Sequence, residues 1–216
     1  MTKLKSRVKA KQRKQKILKE KQKYDKYIKD LRSKILLFDD PILKQVSEAV
    51  EFSWLKESTG ENLGLKKEYE ELGLKKEFEN NIKLLRKVLA VSPNGVGLAA
   101  CQIGILKRII AIRPDIKNKE ISILINPEII EFGEEKEVKM EGCLSYPNIY
   151  APIPRSKKIK VRYVDENNKE YIEEFKDFKA RVVIHEVEHT QSVCKIGDAW
   201  RVKKQQQQEE EAKIQQ

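Results

Sequence analysis

Residues 181–193 read RVVIHEVEHTQSV and hold both histidines of a 216-residue chain, His185 and His189, four positions apart. On a helix, positions i and i+4 share one face about a turn apart, so both imidazoles can reach one ion. Glu186 points in a neighbouring direction, where it can act on water as a general base. Two exposed histidines on a solvated helix would show the same spacing. The approach to them, ARVVI (180–184), is apolar, and buried imidazoles require partners. The segment 177–194 is therefore expected to be helical and packed into a core, with its histidines turned to a metal.

Two ligands do not complete a catalytic centre, which takes three protein donors and leaves a fourth position to water. Many HExxH peptidases take the third donor downstream, but beyond His189 the chain offers no histidine, only Asp198 and the tail glutamates as acids. The third donor is therefore sought upstream. KMEGCLSYPN (139–148) sets Cys143 between a glycine and a Leu-Ser-Tyr-Pro turn, directly after a strand. Thiolate binds metal well, and coordination keeps it deprotonated at neutral pH. Taken alone, a free cysteine is more often buried and inert. A third stretch, PNGVGLAACQIG (93–104), gathers Gly95, Gly97 and Gly104 around small apolar residues, with Gln102 as the polar exception. Glycines that admit backbone to a ligand, followed by one placed amide, suit a groove with an oxyanion contact. A tight turn into a packed helix would use the same glycines. A phosphate loop is excluded, because no Gly-Lys-Ser/Thr follows.

Charge separates a body from its tails. Residues 1–30 carry thirteen Lys and Arg against three acids, a net +10, which leaves about +1 for the other 186 residues. Such an arm is a solvated helix or a disordered segment, able to touch RNA phosphates or an anionic membrane surface, or a solubilising tail with no partner; a ribosomal RNA contact is the partner expected of it, and no membrane. No apolar run reaches the roughly 18–20 residues of a membrane span. With no apolar stretch before a small-residue cleavage site, a cytoplasmic setting is expected, an organelle being the alternative. Three cysteines, Cys101, Cys143 and Cys194, are an odd count that argues against a disulfide framework.

Apolar density begins at KILLFDDPILKQVSEAV (34–50), and a duplication follows, LGLKKEYE (63–70) and LGLKKEFE (72–79). Two copies are too few for a solenoid, and the repeat is expected to be an insertion in a loop-to-helix region. Phe78, Ile82, Leu85 and Leu89 give residues 75–90 one apolar helical face. Strands are expected at 108–112, 121–125, 137–140, 158–164 and 170–175. APIPR (151–155) is extended or turning, since its prolines deny it a helix or a central strand. The expected division is a basic extension over 1–33, an α+β domain over 34–200, and a polar Gln-rich tail over 201–216 that is disordered or loosely helical.

In order along the chain, GVGLAACQ (95–102), EGCLS (141–145) and HEVEH (185–189) resemble the three signature motifs of peptide deformylases, GxGLAAxQ, EGCLS and HExxH. The resemblance extends from about 34 to 193. It implies an α+β fold, with antiparallel and mixed sheets around a central HExxH helix, and a monomer is expected. By similarity, Cys143, His185 and His189 would hold ferrous iron, with zinc, nickel or cobalt as substitutes. Glu186 would be the general base, and Gln102 with the Leu144 N–H would stabilise the oxyanion. Gly95, Val96 and Gly97 would run beside the substrate, with Tyr146 and Arg155 as further substrate contacts. The implied reaction removes the N-formyl group from formyl-methionine on nascent polypeptides. The chain departs from the family at Ile184 (usually Gln), Glu188 (usually Asp), Cys101 (commonly Pro or Thr) and Thr190-Gln191-Ser192 (usually Leu-x-Gly). Two alternatives stand beside this one: an impaired deformylase-like protein docking at ribosomes, and a general HExxH metallopeptidase.

Overall fold

The computed structural model describes residues 2–38, 40–52, 65–113, 115 and 120–214. Helix α1 (Thr2–Arg32) is the basic arm, formed from Lys, Arg, Gln and Glu, which favour helix without needing a buried face. At its end Leu31 is buried, and Arg32 Nε donates to the Val91 carbonyl of α2 (Leu65–Val91) at 2.8 Å. Helix α2 starts ten residues earlier than the apolar pattern indicates, and it absorbs both copies of the duplication from Leu65 onward. From Leu65 onward the repeat, expected in a loop-to-helix region, is helical; residues 63 and 64 lie outside the described residues. Phe78, Ile82, Leu85 and Leu89 are buried as expected, joined by Val88.

Five strands make one antiparallel sheet in the order β1-β2-β3-β6-β7: β1 (Gly97–Ala99), β2 (Ile109–Ile112), β3 (Ser122–Phe132), β6 (Lys158–Val164) and β7 (Glu170–Lys176). Alternation decides which side of the sheet each residue serves. Ile109, Ala111, Ile123 and Ile125 pack toward α2. Ile110, Ile112, Leu124 and Val161 pack toward α3 (Asp177–Thr190). A sheet covered on both faces explains why β2 is an unbroken apolar run, IIAI. Strand β3 runs seven residues past the expected 125. Its pairing with β6 shifts register between Ile125 and Glu128, across Pro127, and Asn126 takes φ 50° there. Proline at a bulge is tolerated because no ladder donor is needed at that point.

Strands β4 (Lys136–Cys143) and β5 (Tyr146–Ser156) form a separate two-stranded sheet. With only two strands there is no central one, so β5 accommodates Pro147, Pro152 and Pro154. Helix α3 ends at Thr190 rather than 194, because Ser192 adopts φ 59° and residues 191–194 turn. Helix α4 (Lys195–Ile214) then runs across the expected tail boundary at 200 as one helix, anchored by the fully buried Ile196. No described helix is long and apolar enough to cross a membrane.

Candidate metal and active site

Three elements converge where α3 meets β1 and the turn end of the β4–β5 hairpin. Helix α3 brings His185, Glu186 and His189, β4 ends on Cys143, and the 3-10 turn Ala100–Ile103 brings Gln102. Cys143 Sγ lies 3.2 Å from His189 Nε2. The His185 and His189 rings stand edge to face with centres 5.0 Å apart. His185 Nδ1 is 3.1 Å from Glu141 Oε2, which leaves Nε2 as the ring nitrogen not engaged by Glu141. Among the described residues, the three donors lying within 4.8 Å of one another are those of Cys143, His189 and Cys194. His185 stands outside that group, and Cys194 was given no role from the sequence.

Gln102 is fully buried and its amide orientation is fixed. Oε1 accepts from the Ala99 N–H at 2.8 Å, which turns Nε2 toward Ser145 Oγ at 3.1 Å and Cys143 Sγ at 3.5 Å. Its NH₂ group therefore faces the Cys143 side of the site. Cys101, one residue earlier, is buried and donates from Sγ to the His189 carbonyl at 3.4 Å. Burial, with the nearby Glu186 adding to it, pushes the Cys101 thiol up to about 12, so it is an inert packing group.

Glu186 is 4% exposed, and its Oε2 is buried without a hydrogen-bond partner. Burial pushes its carboxyl up to about 7, against the opposing pull of His189. A Cβ on Gly97 would sit 2.7 Å from Glu186 Cδ and Cγ, and closer still to Oε1. Gly97 is thus needed to admit the Glu186 carboxylate, a use distinct from the expected backbone approach to substrate. Glu141 has the opposite environment. Burial alone would raise it, but hydrogen bonds from His185 and Arg155 outweigh that and hold it at about 2. Arg155 Nε and Nη2 each donate to Glu141 at 2.9 Å, and Arg181 Nη1 donates at 2.6 Å. Arg155 Nη1 also pairs with Glu188 at 2.6 Å. The neighbouring Cys194, with burial adding to it, keeps the Cys143 thiol above its ordinary range, since two adjacent thiols resist ionising together, whereas Cys143 and His189 hold the Cys194 thiol below its own. A bound cation would reverse the shift at Cys143.

A cavity of about 550 Å³ opens beside these groups. Gly95, Val96, Gly97, Gln102, Cys143, Leu144, Tyr146, His185 and Glu186, all expected at the site, line it. His189 lies deeper, on a second cavity of about 160 Å³ that it shares with Cys194. Arg155 does not line the groove. Its side chain is 1% exposed, and charge satisfaction by two carboxylates directs it inward, so the expected substrate contact is corrected to a structural one. Tyr146 touches the groove but is 4% exposed, packed between Phe38 and Trp200. The buried charge cluster had one readable signal: Arg181 precedes His185 by four residues on the same helical face, in an otherwise apolar run. Cys194 had only its position five residues beyond His189.

Residues 32–205 match the sequence model of the polypeptide deformylase family. A peptide deformylase from Pseudothermotoga lettingae is 37% identical over 165 residues, 76% of this chain and 80% of that one. One from Thermotoga petrophila is 49% identical over 105 residues, 48% of this chain and 61% of its own length. Among solved structures, a probable peptide deformylase from synechococcus phage S-SSM7 superposes with a TM-score of 0.60 at 31% identity, over 74% of this chain and 95% of that one. The class I type b peptide deformylase from Acinetobacter baumannii gives 0.61 at 26% identity, over 74% and 93%.

Proposed function

This chain belongs to the polypeptide deformylase family, and from that premise we propose how its own residues remove the N-formyl group from nascent formyl-methionine peptides. We assign Cys143, His185 and His189 as metal ligands. The donor chemistry fits: the 3.2 Å approach of Cys143 to His189 and the Glu141 hold on His185 are what a thiolate and two neutral imidazoles around one cation require. The ion we favour is ferrous iron, with zinc, nickel or cobalt as substitutes. When bound, it supplies Lewis acidity, which brings the pKa of water to about 7 and makes a nucleophile available at neutral pH.

The chain's side chains do the rest. Glu186 takes the proton from the attacking water and later delivers it to the amine nitrogen as the C–N bond breaks, leaving formate and a free N-terminus. A base serves best with its pKa near the working pH, and the buried Glu186, pushed up to about 7, is in that range. The Gln102 amide and the Leu144 N–H donate to the carbonyl oxygen as charge builds on it. Losing one such donor costs about 3–4 kcal/mol of barrier. The segment Gly95-Val96-Gly97 lies along the groove as extended backbone able to pair with the peptide. Gly97 forms part of β1, an edge strand of the larger sheet.

The observation that carries the assignment is the buried Glu186 carboxylate, with one oxygen unpaired, on the groove beside the Cys143–His189 pair. The test compares deformylation of formyl-Met-Ala-Ser by anaerobically purified, iron-loaded protein with that of a Glu186→Ala variant. Turnover should fall by about 10²–10⁴-fold while the metal stays bound. A fully loaded wild type without activity would overturn it, as would an unimpaired variant. Helix α1, with its net positive charge, we assign to ribosomal RNA contact. Deleting residues 1–30 should weaken ribosome binding and flatten its salt dependence.

A further inference from the structure

Cys194 lies outside all three motifs, in the turn between α3 and α4. We infer that Cys194 is a second thiolate donor to the metal, reaching it from the side opposite the substrate groove; the inference rests on the metal site proposed above. Cys194 Sγ, Cys143 Sγ and a His189 ring nitrogen lie within 4.8 Å of one another. In a tetrahedral shell with metal–sulfur bonds of about 2.3 Å and metal–nitrogen bonds of about 2.0 Å, donors sit roughly 3.3–3.8 Å apart. The three atoms are therefore on the scale of one ion's shell.

Backbone bonds fix the turn that carries the thiol. The Val193 N–H donates to the Glu188 carbonyl at 2.9 Å, and the Asp198 N–H donates to the Cys194 carbonyl at 3.1 Å. Cys194 packs in the same apolar cluster as Cys143, around Tyr146 and the fully buried Ile196. Its neighbours in the smaller cavity include His189 and Tyr146 but not Glu186 or Gln102. The groove cavity, in turn, does not include Cys194. The second thiolate thus leaves the substrate side to Gln102 and Glu186. Four protein donors do not by themselves close such a site, since zinc expands to five-coordinate. A donor set with two thiolates is softer than one with a single thiolate and shifts preference from iron toward zinc.

The test loads the full chain with cobalt(II) and reads the thiolate-to-cobalt charge-transfer absorbance per bound ion, beside Cys194→Ser. The variant should lose about half that intensity and bind the ion at least tenfold more weakly in chelator competition. Equal intensity per ion in both proteins would overturn the inference. Should the variant not fold, X-ray absorption on the cobalt-loaded wild type decides: two sulfur neighbours at about 2.3 Å support Cys194, and one sulfur overturns it. A single-sulfur result would leave the proposed deformylase site standing. A wild type that binds no cobalt would bring down both.

Discussion

Replacing Gly97 with alanine isolates the contact on which the proposed general base, Glu186, depends. Gly97 has no positive φ, so the substitution introduces no backbone strain and acts through space alone. The new methyl would overlap Glu186 Cδ, Cγ and Oε1. Neither partner can yield easily: Gly97 is paired with Ile112 across the sheet, and Glu186 is on a buried helix. Overpacking of this kind costs about 1–3 kcal/mol. A carboxylate displaced by about 1 Å costs on the order of a hundredfold in rate. The expected result is a kcat down about a hundredfold, with KM little changed and the metal retained. Glu186→Asp shortens the side chain by one methylene and makes room for the methyl. In that background Gly97→Ala should cost less, with a coupling of about 0.5–3 kcal/mol in a double-mutant cycle. Steady-state kinetics on formyl-Met-Ala-Ser and thermal unfolding supply all four corners. Additive effects, or a Gly97→Ala enzyme of wild-type activity, would refute the contact.

Arg155→Met should destabilise the fold by about 3–5 kcal/mol in urea unfolding, because it leaves the buried Glu141 and the half-buried Glu188 without their shared cation; a loss under 1 kcal/mol would show that Arg181 and Lys195 suffice. Glu186 binds its proton more tightly when folded, at about 7 against an ordinary 4.5. The stability of the metal-free protein should therefore be full below pH 4.5 and fall by about 3 kcal/mol as pH rises through 7. Glu186→Gln should remove that slope, and an unchanged slope would count against the raised pKa. Ser192, at φ 59°, occupies the left-handed region where the family usually has glycine; Ser192→Gly should raise stability by about 1 kcal/mol, as read by thermal melting.

The regular parts of this fold were legible because they depend on local pattern. The span 158–164 was expected as a strand and is β6, and the apolar face of α2 was read from its helical spacing. Expectation failed where pairing at a distance decides. Glu128–Phe132 carries little alternation of its own and is a strand because β6 lies beside it. The polar C-terminal segment, expected as disordered or loosely helical, is helical to Ile214 as a continuation of an anchored helix, and the anchor is what composition does not show. At the site, residue types and motif order indicated the groove. The use of Arg155 was not legible, since a lone arginine does not announce two carboxylates contributed by β4 and α3. Cys194 was equally silent, because its approach to Cys143 depends on the turn at Ser192.

The two site carboxylates show how placement separates roles that sequence alone leaves alike. Glu141 and Glu186 each precede a proposed ligand-bearing stretch or sit within it, and both are buried. Glu141 meets Arg155, Arg181 and His185 and stays ionised, which suits a permanent acceptor that orients an imidazole. Glu186 meets an unbonded pocket at Gly97 and is pushed up to about 7, which suits a carrier that both takes and returns a proton. Arg155 is close enough to pull Glu186 downward. Its charge is nevertheless engaged on both sides, by Glu141 and by Glu188. Glu188 also reaches Lys195 at the start of α4, at 2.8 Å. The family's usual Asp at 188 has one methylene fewer, so the longer side chain here bridges β5 to α4 while it offsets Arg155. That departure from the motif therefore adds a tie to α4 while leaving the Arg155 charge offset.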